Sequence, residues 1–372
     1  MKFLHTADWQ IGMKCFAAGD RADEVRAERL KTVDRIIDLA NARAVDFMLV
    51  AGDVFDNPTP KAGEVGTVVA ALKRAEMPVF VLPGNHDPVG ASGPYASAAW
   101  LTLAGSRVTT ILAKGSYDVT GGVLLATPCE AKYGTEDPTA EFRDHESPAG
   151  AIRIGLAHGS LQLGEIAKSV TGDQRGNFPI ALDAATRGRL DYLALGDWHG
   201  FFTLPDGNAR ISYSGAPEQT KFGETESGTV SIVSIEAPGE TPVIERVQVG
   251  KLRWISQEFE VSDDASIGLL DASLRARDKP ERTLVRAKAR GLCTPAAAQQ
   301  LAALEPVFRA RFFFFEMQHE YAARPETSEA WRQLMPPGDL RPLVDELLRR
   351  IDNRDRADVA RRALDLLAEC AR

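Results

Sequence analysis

The chain has 372 residues, 44% of them hydrophobic and 26% charged, so it has room for two or three folded units, and its composition excludes disordered, collagen-like and coiled-coil classes. Its 44 basic and 52 acidic side chains leave a formal net charge of -8, which removes the global positive field of a simple nucleic-acid binder. Any polyanion must then be held by local patches or bound cations.

In chain order, Lys2 to Ala7 predicts a strand, Glu24 to Arg43 a helix, Phe47 to Ala51 a strand, Glu64 to Ala75 a helix and Val79 to Leu82 a strand. This is α/β layering. Beyond Val108 short apolar runs crowd together: Ile111–Leu112, Val123–Ala126, Ile152–Ala157, Tyr192–Leu195, Ile211–Ser214, Gly228–Ile235 and Val243–Val249. Their density predicts two sheets packed face to face with helices outside. Around Pro238 to Lys251 the texture changes. Arg253–Val261, Ala265–Arg277, Arg282–Ala289, Pro295–Leu304 and Ala310–Met317 then read strand, helix, strand, helix, strand, as a small α/β unit. Glu326 to Arg372 reads as helical, with apolar stripes at Leu340, Val344, Leu347, Ile351 and at Val359, Ala363, Leu366, Leu367 that suit either packing on the protein's own body or docking of a partner helix pair.

Cys15, Cys129, Cys293 and Cys370 are widely spaced without a CxxC pair, which argues against a zinc cluster or a disulfide framework and for a reduced, cytoplasmic setting. With no run of ~18 apolar residues, neither export nor membrane insertion is expected.

Polar residues of metal-binding type follow the apolar strands, where a parallel α/β sheet places its ligand crevice. These are Asp8-Trp9-Gln10, Gly52-Asp53-Val54-Phe55-Asp56, Gly84-Asn85-His86-Asp87, His158, and Gly196-Asp197-Trp198-His199. Singly, each has a bland reading as a turn residue or a core histidine. Five such clusters together mark a site. A phosphodiester resists attack by water, and two divalent cations can bind its oxygens and generate hydroxide at neutral pH. Carboxylate, carboxamide and imidazole donors suit Mn²⁺ or Fe²⁺, while Mg²⁺ prefers all-oxygen sites. Asp53, at a glycine-containing turn, is the expected bridging carboxylate, and His86 is expected either to protonate the leaving oxygen as a general acid or to stabilise the pentavalent transition state. Asp87 is expected to orient that imidazole, and Asp56 to hold a ligand or bound water. His5 reads as a packing or supporting residue, and neither His145 nor His319 has metal-ligand neighbours.

The ordered set Asp8-x-Gln10, Gly52-Asp53-x-x-Asp56, Gly84-Asn85-His86-Asp87, His158 and Gly196-Asp197-x-His199 resembles the motifs of the calcineurin-like metallophosphoesterases. The resemblance is closest to the SbcD-type DNA-repair exonucleases, through Leu4-His5-Thr6-Ala7-Asp8-Trp9, Ile11-Gly12 and Ser214-Gly215-Ala216-Pro217-Glu218. It implies a four-layer α-β-β-α sandwich over residues 1–250, a small α/β capping domain over 251–325, and an SMC-like coiled-coil ATPase partner, for which the C-terminal helices over 326–372 are a candidate docking site. It further implies one metal at Asp8, Gln10, Asp53 and His199, a second at Asp53, Asn85, His158 and Asp197, a catalytic His86, and a homodimer. Gln10 stands where the family commonly has histidine, and Asp197 where the last motif usually reads Gly-His-x-His. Glutamine is the weaker neutral ligand. Aspartate lowers the net charge of two ions, a hydroxide and the ligand carboxylates from about +1 to about 0, which weakens attraction for a phosphodiester.

Residues 271–290 hold seven basic and three acidic side chains, a local +4, and Arg286, Lys288 and Arg290 alternate on one strand face. That face is either a phosphate-contacting DNA stripe or a solvated outer surface. Phe312 to Phe315 reads as buried strand. No Walker A sequence occurs, so any ATP dependence lies with a partner. The leading expectation is a Mn²⁺-dependent DNA nuclease subunit, the alternatives being a phosphoesterase for small phosphodiesters and a DNA-tethering subunit with weakened catalysis. Protein Ser/Thr phosphatases fit less well, because Gly52 to Asp56 lacks their extended GDxVDRG sequence.

Overall fold

The computed structural model describes residues 1–163, 177–325, 327–334, 340–354 and 356–370. It divides into two compact units, Met1–Arg253 and Trp254–Arg372.

In the first unit, β1 (Lys2–Thr6), β2 (Phe47–Ala51), β3 (Val79–Leu82) and β4 (Val108–Thr110) run parallel. A second sheet contains β5 (Gly115–Val119), β6 (Gly122–Thr127), β7 (Ile152–His158), β8 (Tyr192–Gly196), β9 (Phe202–Asp206) and β10 (Ala209–Tyr213). Its order is β5-β6-β7-β8-β10-β9, with the four inner strands parallel and both edges antiparallel. The chain then returns to the first sheet as β11 (Thr229–Ser234) and β12 (Val243–Gln248), giving β12-β11-β1-β2-β3-β4.

Every residue of β2 is buried, because both of its faces are covered. Phe47, Leu49 and Ala51 enter the core between the sheets with Phe3, Leu124, Ile154 and Tyr192, where Phe3 stacks on Phe47 at 5.0 Å and meets Tyr192 edge-on at 5.4 Å. Met48 and Val50 face the other way, onto Ile36 and Ile37 of α1 (Ala22–Ala42) and Val68 of α2 (Ala62–Leu72). The outer face of the second sheet is covered by Phe142 and by Ala184 and Ala185 of a short helix, Ala184–Gly188. Two large sheets with helices outside make the four-layer α-β-β-α sandwich expected from the sequence.

Two local readings change. Ile111–Leu112 is not a strand: Ile111 is buried and donates its N–H to the Val81 carbonyl at 2.9 Å just beyond β4. β5 and β9, both sheet edges with half-exposed alternation, were not anticipated.

The second unit has a three-stranded sheet, β13 (Arg253–Glu260), β14 (Thr283–Cys293) and β15 (Phe314–Ala323), in that order. Asp264–Arg275 and Pro295–Arg311 are helices packed on it. The second helix runs through Pro306, past its expected end at Leu304, because Phe308 is fully buried against Phe312 and Phe315, and β15 accordingly starts later than expected. Three terminal helices follow, Ser328–Leu334, Arg341–Asp352 and Ala357–Cys370. Val344, Leu348, Leu364 and Ala368 bury against Leu292 and Trp331, while Leu343, Val359 and Leu366 remain exposed. Glu326 and residues 335–339, 355 and 371–372 of the expected helical segment lie outside the described residues. No helix among the described residues is long and apolar enough to cross a membrane.

Candidate metal centre

Both sheets direct the C-terminal ends of their parallel strands to one rim. Asp8 lies two residues past β1, Asp53 two past β2 and Asn85 three past β3; His158 ends β7 and Asp197 follows β8. The first two loops zip together through backbone bonds: Asp8 N–H to the Gly52 carbonyl at 3.0 Å, Gln10 N–H to the Asp53 carbonyl at 3.0 Å, and Ile11 N–H to the Val54 carbonyl at 2.9 Å. Asp8, Gln10 and Asp53 all adopt left-handed backbone, φ 54°, 50° and 54°. This conformation is uncommon for residues other than glycine, and three instances in two paired loops are held by the backbone bonds between them. The glycines of GD and GN are steric requirements. A Cβ on Gly52 would sit 2.2 Å from His158 Nδ1, and one on Gly84 2.2 Å from Asp53 Oδ1.

Asp8, Asp53 and His158 are buried, and each offers a ligand atom within 4.8 Å of the others. His158 Nδ1 lies 2.9 Å from the Ala51 carbonyl and its Nε2 2.9 Å from Asn85 Oδ1, so the sequence-predicted set Asp8, Asp53, Asn85 and His158 is brought together. Gln10 donates from Nε2 to Asp53 Oδ2 at 2.8 Å, and His86 N–H donates to Asp53 Oδ1 at 2.9 Å. Asp53 is thus central to the group.

Burial, the largest influence, pushes Asp8 up to about 6 against the pull of His199 and His158, with Asp53 and Asp197 pushing the same way as burial. Burial alone would lower His158, but Asp53, Asp8 and Asp197 override it and hold the imidazole up at about 9. The site concentrates negative charge where solvent cannot screen it.

His199 stands on the facing loop. Burial opposes its protonation, yet hydrogen bonding to Glu224 and the charge of Asp8 raise it. Its Nδ1 is 2.8 Å from Glu224 Oε1 and 3.0 Å from Thr220 Oγ1, leaving Nε2 as the ligand atom. Glu224, although buried, is brought down to about 2 by His199 and by the Thr220 hydroxyl and N–H. Neither Glu224 nor Thr220 was anticipated; they are 25 and 21 residues past His199 in an irregular loop, and no periodicity marks them. Asp197 donates its N–H to Asp8 at 3.2 Å, while its carboxylate accepts from Ser160 Oγ. Burial raises its pKa.

His86 is half-exposed, and its Nδ1 is 2.8 Å from the backbone carbonyl of Asp56, with the Asp56 carboxylate 4.0 Å away. The ring therefore donates Nδ1–H to that carbonyl and turns Nε2 outward. Asp87 does not orient this ring. Its Oδ1 accepts from Gly84 N–H at 2.7 Å, and its Oδ2 from Phe55 N–H at 2.9 Å and Tyr95 O–H at 2.6 Å. Fully buried, it ties the Asp53 and Asn85 loops together, and burial with the nearby Asp53 charge raises it to about 7. The expectation for Asp87 is corrected accordingly: the Asp56 backbone does the orienting.

A family model for calcineurin-like phosphoesterases matches residues 1–201. The chain belongs to that family. Among solved structures, TT1561 of Thermus thermophilus is similar at 14% identity with a TM-score of 0.44, covering 67% of this chain and 98% of its own. A second solved structure matches at 12% identity and the same TM-score, covering 66% of this chain and 98% of its own.

Membership in the calcineurin-like phosphoesterases implies metal-dependent hydrolysis of phosphoesters. The donor set fits divalent cations, since buried carboxylate oxygens and an imidazole converge, and a dication beside Asp8 would reverse the upward push of burial.

Far along the chain of this phosphoesterase, Arg286, Lys288 and Arg290 do share one face of β14, yet each meets a carboxylate. Arg286 pairs with Glu316 at 2.5 Å, Lys288 with Glu258 at 3.7 Å, and Arg290 with Glu258 and Glu320 at 2.7 Å. Three cations against three carboxylates leave this group with no net charge. The stripe expected from sequence is therefore a mixed-charge lattice, set by the β14–β15 register that opposes Arg286 to Glu316 and Arg290 to Glu320.

Proposed function

We propose that this phosphoesterase is a DNA nuclease of the SbcD type, hydrolysing phosphodiesters with two Mn²⁺ ions. The observation that carries the hydrolytic reading is a half-exposed imidazole, His86, fixed beside a buried Asp8, Asp53, Asn85 and His158 group. Divalent ions supply charge for the phosphoryl oxygens and an activated water. Asp8, Gln10, Asp53 and His199 would hold one ion, and Asp53, Asn85, His158 and Asp197 the other. Glu224 fixes His199 so that Nε2 faces inward, the usual way a carboxylate sets a ligating imidazole. His86 protonated on both nitrogens keeps its Nδ1–H on the Asp56 carbonyl and gives the Nε2 proton to the leaving oxygen. It ends as the neutral ring with the same anchor.

The DNA branch is supported by sequence around the centre. Trp9, fully buried, donates from its indole to Thr6 Oγ1 at 2.9 Å. Ala216 N–H, within Ser214–Glu218, reaches the His199 carbonyl at 2.9 Å, and buried Glu218 accepts from Thr32 Oγ1 and from Lys251 N–H. In this reading the exposed Leu343, Val359 and Leu366 of the terminal helices receive an SMC-like coiled-coil ATPase. The protein works in the cytoplasm as a homodimer. The second reading, a small-phosphodiester hydrolase, is favoured by the charge-neutral Arg286, Lys288 and Arg290 face.

The test is purified protein with Mn²⁺ on linear DNA and on bis(p-nitrophenyl) phosphate. Both are expected to be cleaved, with Asp53→Ala inactive and His86→Ala slowed about 10²–10⁴-fold, the range for loss of a general acid. Turnover of the small ester alone replaces the nuclease with the second reading, and turnover of neither favours DNA tethering.

A further inference from the structure

Between the Asp197–Trp198–His199 turn and the loop Lys221–Thr225 lies a cavity of about 250 Å³. It adjoins two of the candidate ligands, Asp197 and His199. We propose that it is the subsite for the nucleoside flanking the scissile phosphate, with Trp198 as the stacking surface for the base and Lys221 as the contact for the next phosphate. The inference rests on the nuclease reading and deepens it.

Three observations carry it. Trp198 is held from behind: it packs against the core of the second sheet and also borders a smaller cavity of about 40 Å³ lined by Leu161, Phe202 and Tyr213. A half-buried indole fixed in this way presents its remaining surface to the larger cavity at little entropic cost, as a base-stacking platform requires. The cavity lining sets Asp197 and Glu224 against Lys221, so it is not cationic as a whole, but that lysine is free to meet an anion. Its one carboxylate outside the centre, Glu224, is committed to His199 and Thr220, whereas Lys221 is exposed and has neither ion pair nor hydrogen bond among the described residues. Finally, its volume is just below the ~300 Å³ at which pockets for drug-sized ligands begin, so it suits one ring system rather than a large ligand. A simple aryl phosphodiester has no second phosphate for Lys221, so the subsite discriminates nucleic acid from small esters.

Single-stranded oligothymidylate, the same chain with abasic sites, and bis(p-nitrophenyl) phosphate serve as substrates, with oligonucleotide binding followed in parallel by fluorescence anisotropy in Mn²⁺. Relative to the small ester, Lys221→Ala and Trp198→Ala are each expected to lower kcat/KM for the oligonucleotide about 10-fold, within the range that loss of one base stack covers. Binding should weaken by a similar factor. Trp198→Phe should restore most of the loss, and Trp198→Ala should leave abasic cleavage relative to the small ester unaltered. Unchanged ratios and unchanged binding in a wild type that cleaves DNA overturn the subsite alone. A wild type that neither binds nor cleaves oligonucleotide while hydrolysing the small ester overturns the nuclease reading with it. Lys221→Ala, an exposed change, decides the matter if Trp198→Ala fails to fold.

Discussion

The two halves of the metal centre are fixed by different means. Asp8, Asp53, Asn85 and His158 sit on strand ends, and His158 is fully enclosed with Nδ1 on the Ala51 carbonyl. Asp197, one residue past β8, is a strand-end residue as well, whereas His199 lies on a loop beside an open cavity and takes its orientation from side chains of another loop, Thr220 and Glu224. The first half is positioned by topology, so it is rigid wherever the sheets are intact. The second depends on a carboxylate that can be removed without touching a strand.

The contrast can be broken by calorimetric titration with Mn²⁺. His158→Ala deletes a ligand from the enclosed half, and the expected loss of affinity exceeds about 100-fold, more than supporting residues typically cost. Glu224→Gln leaves every ligand in place but removes the charge that fixes His199, and affinity should fall by about 10–100-fold, confined to one of two binding events. Equal losses in the two variants would show that the halves are a single rigid unit.

This difference also governs what could be read from sequence. Asp8, Asp53, Asn85, His158 and Asp197 each follow an apolar run that can only be a buried strand, so their convergence was legible from order alone. Glu224 has no such flanking pattern; only the folded loop reveals its bond to His199. Asp87 was legible as a site residue but not in its role, because whether a carboxylate faces His86 or the backbone of Gly84 and Phe55 depends on the turn geometry. The alternation of Arg286, Lys288 and Arg290 was visible, but the opposing Glu316 and Glu320 required the register of a strand about thirty residues away. β5 and β9 were missed because neither has a fully buried residue or a continuous apolar run to signal it.

The smallest expected effect probes what holds the enclosed half in place. His5 of β1 bridges to β8 across the inter-sheet core, its Nδ1 3.0 Å from the Tyr192 hydroxyl and its Nε2 3.2 Å from the Leu195 carbonyl. The imidazole is neutral, accepting from the hydroxyl and donating to the carbonyl, and burial lowers its pKa to about 3. Because the folded value lies below the unfolded 6.5, unfolded chains bind the extra proton between these limits. The stabilisation is complete above pH 6.5 and is lost progressively as pH falls toward 3. Asp8 and Asp87 titrate in the opposite sense, since raised carboxyl values favour the fold at low pH, so the His5 contribution must be isolated by difference. Urea unfolding of the wild type and His5→Gln in chelator at pH 7.5 and pH 5.0 does this. On acidification the wild type should lose about 2 kcal/mol more than the variant, from ~1.5 pH units below 6.5 at 1.36 kcal/mol per unit. Identical losses would mean that the bridge between the sheets tolerates a proton and that the strand ends carrying Asp8 and Asp197 are not locked together by a neutral core.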